Sequence, residues 1–283
     1  MSVKRLKKDL KDNNIPYEKI TINNFNFDFY FKAKNYILFV IDPEVDNEKT
    51  TKAATLYGLK KKLDEDGIES IFIFAPEFEK NYDIYIAKIL YKFNINNKNV
   101  FARKCEVREV PNDEYRKFLM DYHLQGYVSA KIKLGLYFED ELISLMSFGV
   151  PRYAPSYEYE LARYCSKSGY NIAGGASKIF KHFLNNYEFT SMICYSDMML
   201  GDGNFYESLG FIREKDTGPG FQWYYSETKT IHNRRGFWKH QLPKKLKKFD
   251  ENLSAHNNLR ANGYYKIFTL GNNVFTYDNT NKS

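Results

Sequence analysis

The tetrapeptide Cys194-Tyr-Ser-Asp197 places a carboxylate directly after a run of strand-forming residues. An aspartate at a strand end, facing a cleft, can position or deprotonate an amine. The same residue type commonly caps a following helix, and the sequence leaves both roles open. Tyr195 offers a hydroxyl beside it, and Arg163 and Arg152 offer guanidiniums for substrate or phosphate. Arg163 could equally form an ion pair with Glu160 or Glu158. Ser147, at the end of another apolar run, is a further candidate for the chemistry, with a structural role favoured.

A second group is Asn171-Ile-Ala-Gly-Gly-Ala-Ser177, between a strand pattern and a helix pattern. Gly174 and Gly175 let backbone N–H groups turn toward an anion at the helix N-terminus, where the peptide dipoles also favour negative charge. An ordinary strand-to-helix turn uses glycine too. A third group lies beyond Lys229. His232, Arg234, Arg235, Lys239, His240, Lys244, Lys245, Lys247 and Lys248 alternate with Phe237, Trp238 and Phe249. Cations that pair with phosphates, interleaved with rings that stack on bases, suit nucleic acid better than they suit a solvated basic helix.

Recognisable elements must position these groups. Residues 1–13 read as a short charged helix, Phe25–Phe31 as a half-buried strand and Tyr36–Ile41 as a central one. A helix is expected over 48–66, with Ala53, Leu56, Leu59 and Leu63 on one face and Gly67 as its stop. Ser70–Ala75 reads as a buried strand, 80–93 as a helix and 94–99 as a linker. Pro111 opens a helix over Asp113–His123. Ile132–Phe138 and Leu142–Phe148 form a hairpin, and Tyr157–Tyr164 is a third strand. A helix over Ala176–Asn185, a strand over Ser191–Tyr195 and a helix over Phe205–Leu209 follow. Gln222–Ser226 is expected as the last strand of that sheet, and Tyr264–Leu270 as a strand packing back on it.

The 283 residues allow two modest domains, and 43% hydrophobic with 17% aromatic residues is enough to build cores. The net charge of +7 leans toward a polyanionic partner. Cys105, Cys165 and Cys194 are too widely spaced for a disulfide framework or a zinc site. The charged N-terminus lacks the apolar segment of a signal peptide, and no apolar run suits a membrane helix. The expectation is a cytoplasmic protein, in a host bacterium if phage-encoded.

Strand, glycine turn, helix, strand and the Phe205–Phe211 helix, in that order, resemble the GNAT acyltransferase fold over roughly residues 100–226. In that family the turn reads Arg/Gln-x-x-Gly-x-Gly/Ala and holds the pyrophosphate of acyl-coenzyme A. Asn171, Gly174 and Ala176 take those positions, Asn171 departing from the pattern, and Tyr206 to Phe211 matches the family's Tyr-x-x-x-Gly-Phe helix. The resemblance implies an acyl-coenzyme A or related acyl donor held by Asn171, Gly174, Gly175, Ala176, Ser177 and Tyr206. Within the fold, Phe148-Gly-Val-Pro151, Glu160-Leu-Ala-Arg163, Cys194–Asp197, Tyr206 and Trp223 resemble the Mom proteins of bacteriophages, which modify adenine in phage DNA. That resemblance implies catalysis by Asp197, Tyr195, Arg163 and Ser147.

The whole chain also resembles phage proteins described as Hef-like homing endonucleases, through Phe27-Asp-Phe-Tyr30, Asp66–Phe74, Ala102–Glu106, His123–Val128 and Ile132–Tyr137. Their first domain is of Vsr or PD-(D/E)xK type, with carboxylates holding a divalent cation. Asp28 fits the first position. Phe39-Val-Ile-Asp-Pro43 stands where a glutamate segment belongs, so Asp42 or Glu44 would substitute, with Lys49 or Lys52 as base. The expected downstream histidine is missing, and Glu77 matches an acidic position without an assignable role. Mg2+ at Asp28 and Asp42 follows only if this domain is active; a degenerate fold retained for DNA docking or dimerisation is the expected reading.

The expected fold is therefore α/β. A small nuclease-like α/β domain spans 1–99, and a GNAT-like α+β acyltransferase-fold domain spans 100–228. A basic C-terminal extension, 229–283, packs on the second domain. Duplex DNA is the expected partner, bound by Arg152, Arg234, Arg235, Trp238, Lys239 and Lys244. The expected activity is acyl transfer to a DNA base. The alternatives are a metal-dependent homing endonuclease whose second domain only reads DNA, and a non-enzymatic DNA-binding or inhibitor protein.

Overall fold

The computed structural model describes residues 2–43, 53–95 and 97–280. It is a mixed α/β molecule with several sheets and no barrel. The first unit holds α1 (Ser2–Asp12), β1 (Glu18–Ile22), β2 (Phe25–Phe31), β3 (Tyr36–Ile41), α2 (Ala53–Glu65), β4 (Glu69–Phe74), α3 (Ala75–Lys80) and α4 (Tyr82–Lys92). Its sheet runs β1-β2-β3-β4, antiparallel except for the parallel pair β3/β4 that α2 connects. Helices cover both faces, which explains the unbroken apolar run of β3. Tyr36 and Leu38 pack with Leu6 and Leu10 of α1 and Tyr82, Tyr85 and Ile89 of α4. Ile37 and Ile41 pack with Leu56, Leu59 and Leu63 of α2. Gly67 ends the α2 segment at φ 68°, as expected of a C-terminal glycine. The expected 80–93 helix is α4, and a further short helix, α3, precedes it with Pro76 in its first turn. Residues 48–52 of the expected 48–66 helix, with Glu44, Lys49 and Lys52, lie outside the described residues.

The second unit begins inside the expected linker, at β5 (Lys98–Phe101). It continues through β6 (Glu106–Glu109), α5 (Asn112–Tyr122), β7 (Ile132–Phe138), β8 (Glu141–Gly149), β9 (Tyr159–Ser166), β10 (Tyr170–Ala173), α6 (Gly175–Asn186), β11 (Ser191–Asp197), α7 (Asn204–Ser208) and β12 (Ile212–Asp216). Then come β13 (Gly220–Tyr225), β14 (Thr230–Asn233), α8 (Ala255–Ala261), β15 (Tyr264–Thr269) and β16 (Asn272–Asp278). The large sheet has the order β12-β16-β11-β9-β8-β7-β6. All its pairs are antiparallel except β9/β11, which α6 connects. The β7–β8 hairpin turns through Glu139 (φ 52°) and Asp140 (φ 61°), the two left-handed residues of a tight turn. Ile179, Phe180 and Phe183 of α6 seal one face against Leu134, Leu136, Phe148 and Met192. Tyr115, Phe118 and Leu119 of α5 seal the other against Tyr137, Leu142 and Leu145. β5 and β10 pair in parallel as a separate ribbon.

Two expectations about the C-terminal third give way. Gln222–Ser226 does not close the large sheet: β13 is the centre of a separate three-stranded sheet, β14-β13-β15. The expected 228/229 boundary falls inside the β13–β14 hairpin, and β16 lies in the interior of the large sheet, between β11 and β12. Residues 229–280 are thus woven into the fold. The small sheet uses both faces. Trp223 and Tyr264 pack with Leu242 and Leu259, while Tyr224 and Ile267 join the α2 side of the first unit's core. Among the described residues, no helix is long and apolar enough to cross a membrane.

Candidate active site

β9 and β11 hold each other at only two positions, Met192↔Tyr159 and Ile193↔Glu160. Past these pairs the strands part, and both run on to Ser166 and Asp197. In open α/β sheets, ligands collect outside the carboxyl ends of strands at such a switch in direction. A cleft of about 420 Å³ lies there, between the end of β9 and β10 on one side and α4 with β4 on the other. Tyr164, Tyr170, Phe205, Leu200, His123 and Lys88 are among its walls. Phe205 stacks on Tyr164 at 4.7 Å and 13°, so rings occupy part of the wedge between the strands. The surface of Lys88 is largely accessible, yet protein atoms surround its ammonium and push its pKa below the usual lysine range.

Asp197 ends β11 beside this cleft. Its Oδ1 accepts the Met199 N–H at 3.0 Å and its Oδ2 accepts from Gln125 Nε2 at 3.3 Å. Burial raises its pKa above the ordinary aspartate range, against the pull of these two donors. The N-terminal unit brings a second carboxyl to it. Glu77, on α3, is pushed up to about 7 by burial and then by the charge of Asp197. The units are stitched at this point: Phe72 N–H of β4 donates to Met199 O at 2.7 Å. His123 Nδ1 accepts the Gln125 N–H at 3.1 Å. Burial, with Arg163 and Lys88 nearby, lowers the His123 pKa to about 3 and keeps the ring neutral.

Arg163 forms no salt bridge with Glu160 or Glu158. It donates to Gly126 O at 3.2 Å and Ala162 O at 2.8 Å, and burial lowers its pKa. Arg152 takes Glu160 instead, through its backbone N–H and Nε, each at 3.0 Å, and Nη2. Glu160 is 2% exposed, so this ion pair sits at the sheet surface with one end enclosed. Tyr195 meets Tyr153 edge-on at 6.0 Å. Ser147 is fully buried and accepts the Tyr115 hydroxyl at 3.1 Å, a packing role rather than a reactive one. Tyr206 lies deep near Arg163 and Cys194, and burial raises its pKa.

The glycine turn opens α6 as expected. Gly174 is its N-cap at φ 76°, and no side chain caps the first turn, so those N–H groups remain available. Gly175 has a packing reason for being glycine: a Cβ there would lie 2.8 Å from Ile172. Asn171 is committed elsewhere, donating to Asn99 Oδ1 at 2.8 Å and accepting the Tyr91 hydroxyl at 3.2 Å. Ala176 packs on the core, and Ser177 faces a separate recess beside α7. The cleft walls include Ile172 but not Gly174–Ser177, Asp197 or Arg163.

Of the nuclease-type residues, Asp28, Asp42 and Glu77 are among the described residues, while Glu44, Lys49 and Lys52 lie outside them. Asp28 pairs with Lys19 at 2.7 Å on an exposed strand surface, and Asp42 follows the end of β3. Among the described residues no group of three or more His, Cys, Asp or Glu side chains is placed to hold a metal ion. The cysteines are free, Cys105 and Cys194 buried and Cys165 at the cleft wall. Sequence reasoning left Glu77 and Gln125 without roles and did not single out Tyr153. Only Glu77 carried a signal, an acidic side chain one turn into a helix after a buried strand. Neither a protein-family model nor a curated protein matches this chain, so geometry bears the functional reading.

Proposed function

We propose that this protein transfers an acyl-type group to an exocyclic amine of a nucleic-acid base, in a GNAT-like second unit. The observation that carries the reading is the cleft at the parted ends of β9 and β11, with Asp197 beside it and the uncapped first turn of α6 at the same end of the sheet. An acyl donor's phosphates fit that turn: Gly174 is exposed, its missing Cβ meets only Ala102 at 3.8 Å, and Arg103 and Lys104 follow in the neighbouring turn. When bound, the donor would supply an activated acyl group. The chain's own part is to hold those phosphates, to exclude water with Tyr164, Phe205 and Leu200, and to take the amine's proton on Asp197. Burial raises the Asp197 pKa, which makes its carboxylate a stronger base than an ordinary aspartate. Arg234, Arg235, Lys239 and Lys266, in and after the small sheet, support a nucleic acid as acceptor.

Nucleoside mass spectrometry of DNA and RNA from cells expressing the chain tests this. A new modified nucleoside should appear, and Asp197→Ala should abolish it. Identical profiles for both proteins and an empty vector would overturn the transfer reading. A second reading, a binding protein without turnover, is favoured by one observation: Asp197, Arg163 and the glycine turn do not line one cavity. It predicts nucleic-acid binding with no modified nucleoside.

A further inference from the structure

Three large apolar side chains stand out on the surface formed by the 150–153 loop and the turn after β14. Val150, Tyr153 and Trp238 are 75%, 57% and 59% exposed. Cations stand at Tyr153 and at neighbouring rings of the same region. The Arg235 guanidinium lies 4.9 Å from the Tyr153 ring centre and that of Arg152 lies 5.8 Å away. Both guanidiniums stand over the ring at these distances, and more than half of Tyr153 remains exposed beside them. Arg234 and Lys266 stand over Phe221 at 5.5 and 4.7 Å, and Lys245 over Phe237 at 5.0 Å.

At this surface Lys247 is paired with Glu227 and Arg152 with Glu160. Arg234, Arg235, Lys239, Lys244, Lys245 and Lys266 have no carboxylate within salt-bridge distance among the described residues. Lys239 and Lys245 instead donate to the carbonyls of Glu251 and Gly236, which leave their charge uncancelled. A surface that only neutralised a duplex backbone would need the cations but not the exposed rings, because paired bases hide their faces.

We propose that this surface binds nucleic acid as an unpaired strand, stacking bases on Tyr153 and Trp238 and setting phosphates on Arg234, Arg235, Lys239 and Lys244. The proposal rests on the nucleic-acid half of the function above and is independent of the transfer chemistry. Through its contact with Tyr195 on β11, Tyr153 joins this surface to the sheet that carries Asp197. An unpaired base held there is also one whose exocyclic amine is free of a pairing partner.

Fluorescence anisotropy with the full chain tests it, using single-stranded DNA, duplex DNA of equal length and single strands carrying abasic residues, over a salt series. Single strands should bind more tightly than duplex, and abasic strands more weakly than intact ones. Tyr153→Ala and Trp238→Ala should each weaken single-strand binding about 5- to 100-fold, the loss of roughly one stacked base. Abasic strands should distinguish these variants from the parent protein far less. Arg235→Ala should instead lower the salt slope by about one contact for every sequence. Equal affinity for single strand and duplex, or parental binding by Tyr153→Ala with an unchanged thermal melt, would overturn the proposal. Nucleoside mass spectrometry of the same variants separates the two claims: modification without stacking sinks this one alone, and stacking without modification sinks only the transfer.

Discussion

Glu77 has the most informative ionisation in the molecule. Its carboxyl, pushed up to about 7, holds a proton more tightly when folded than at the unstructured value of 4.5. A raised acid pKa stabilises the fold at low pH, and that stabilisation is lost as pH rises from 4.5 through 7. Glu77→Gln, which keeps the shape without the charge, should be more stable than the parent above pH 7, by on the order of 1–3 kcal/mol. The two should converge below pH 5. Urea denaturation at pH 5 and pH 8 checks this; equal differences at both pH values would show that Glu77 is ionised in the folded protein. Asp197→Ala, by removing the neighbouring charge, should bring the Glu77 pKa down and shrink the pH dependence.

At the scale of elements, the fold uses local signals and a buried lysine. Lys60 on α2 is 1% exposed and donates to Asp64 at 2.6 Å and to the fully buried Ser70 of β4 at 3.2 Å. Lys60→Ala leaves the Ser70 hydroxyl without this partner and opens space between helix and sheet, so it should cost about 1–3 kcal/mol. Lys60→Met, which fills the space, should recover part of it in thermal melts. The β7–β8 turn offers the opposite change. Glu139 sits at φ 52°, where asparagine is better tolerated, and its ion pair to Lys98 at 3.7 Å is exposed and weak. Glu139→Asn should raise stability by a few tenths to about 1 kcal/mol, read as a higher denaturation midpoint.

For the whole molecule, connectivity ties the ends together. β16 supplies both neighbours of an interior sheet position, pairing β11 from Ser191↔Asp278 to Asp197↔Asn272 and β12 on its other side. Tyr57 and Lys61 of α2 reach Asp216 at 2.7 and 3.5 Å, and the small sheet closes over the α2 side of the first unit. A fragment ending at residue 228 should therefore fail to fold rather than lose a basic tail. Circular dichroism and amide exchange would show this; a cooperative melt with native protection in β11 would refute it.

Local chemistry was legible in the residues themselves. The apolar runs of β3 and β4, the glycine that opens α6, the Glu139–Asp140 turn and the aromatic–basic alternation after β14 all depend on near neighbours, so composition and period suffice to find them. Asp197 at a strand end was legible for the same reason. What tertiary structure alone decided is who meets whom. The Asp197 charge acts on Glu77 from 120 residues away, Arg152 rather than Arg163 takes Glu160, and Ser147 is sealed under Tyr115. β16 enters the large sheet between β11 and β12, one place in from the edge, because the N–H and C=O groups along β11 must be satisfied by some strand. No local pattern records which one.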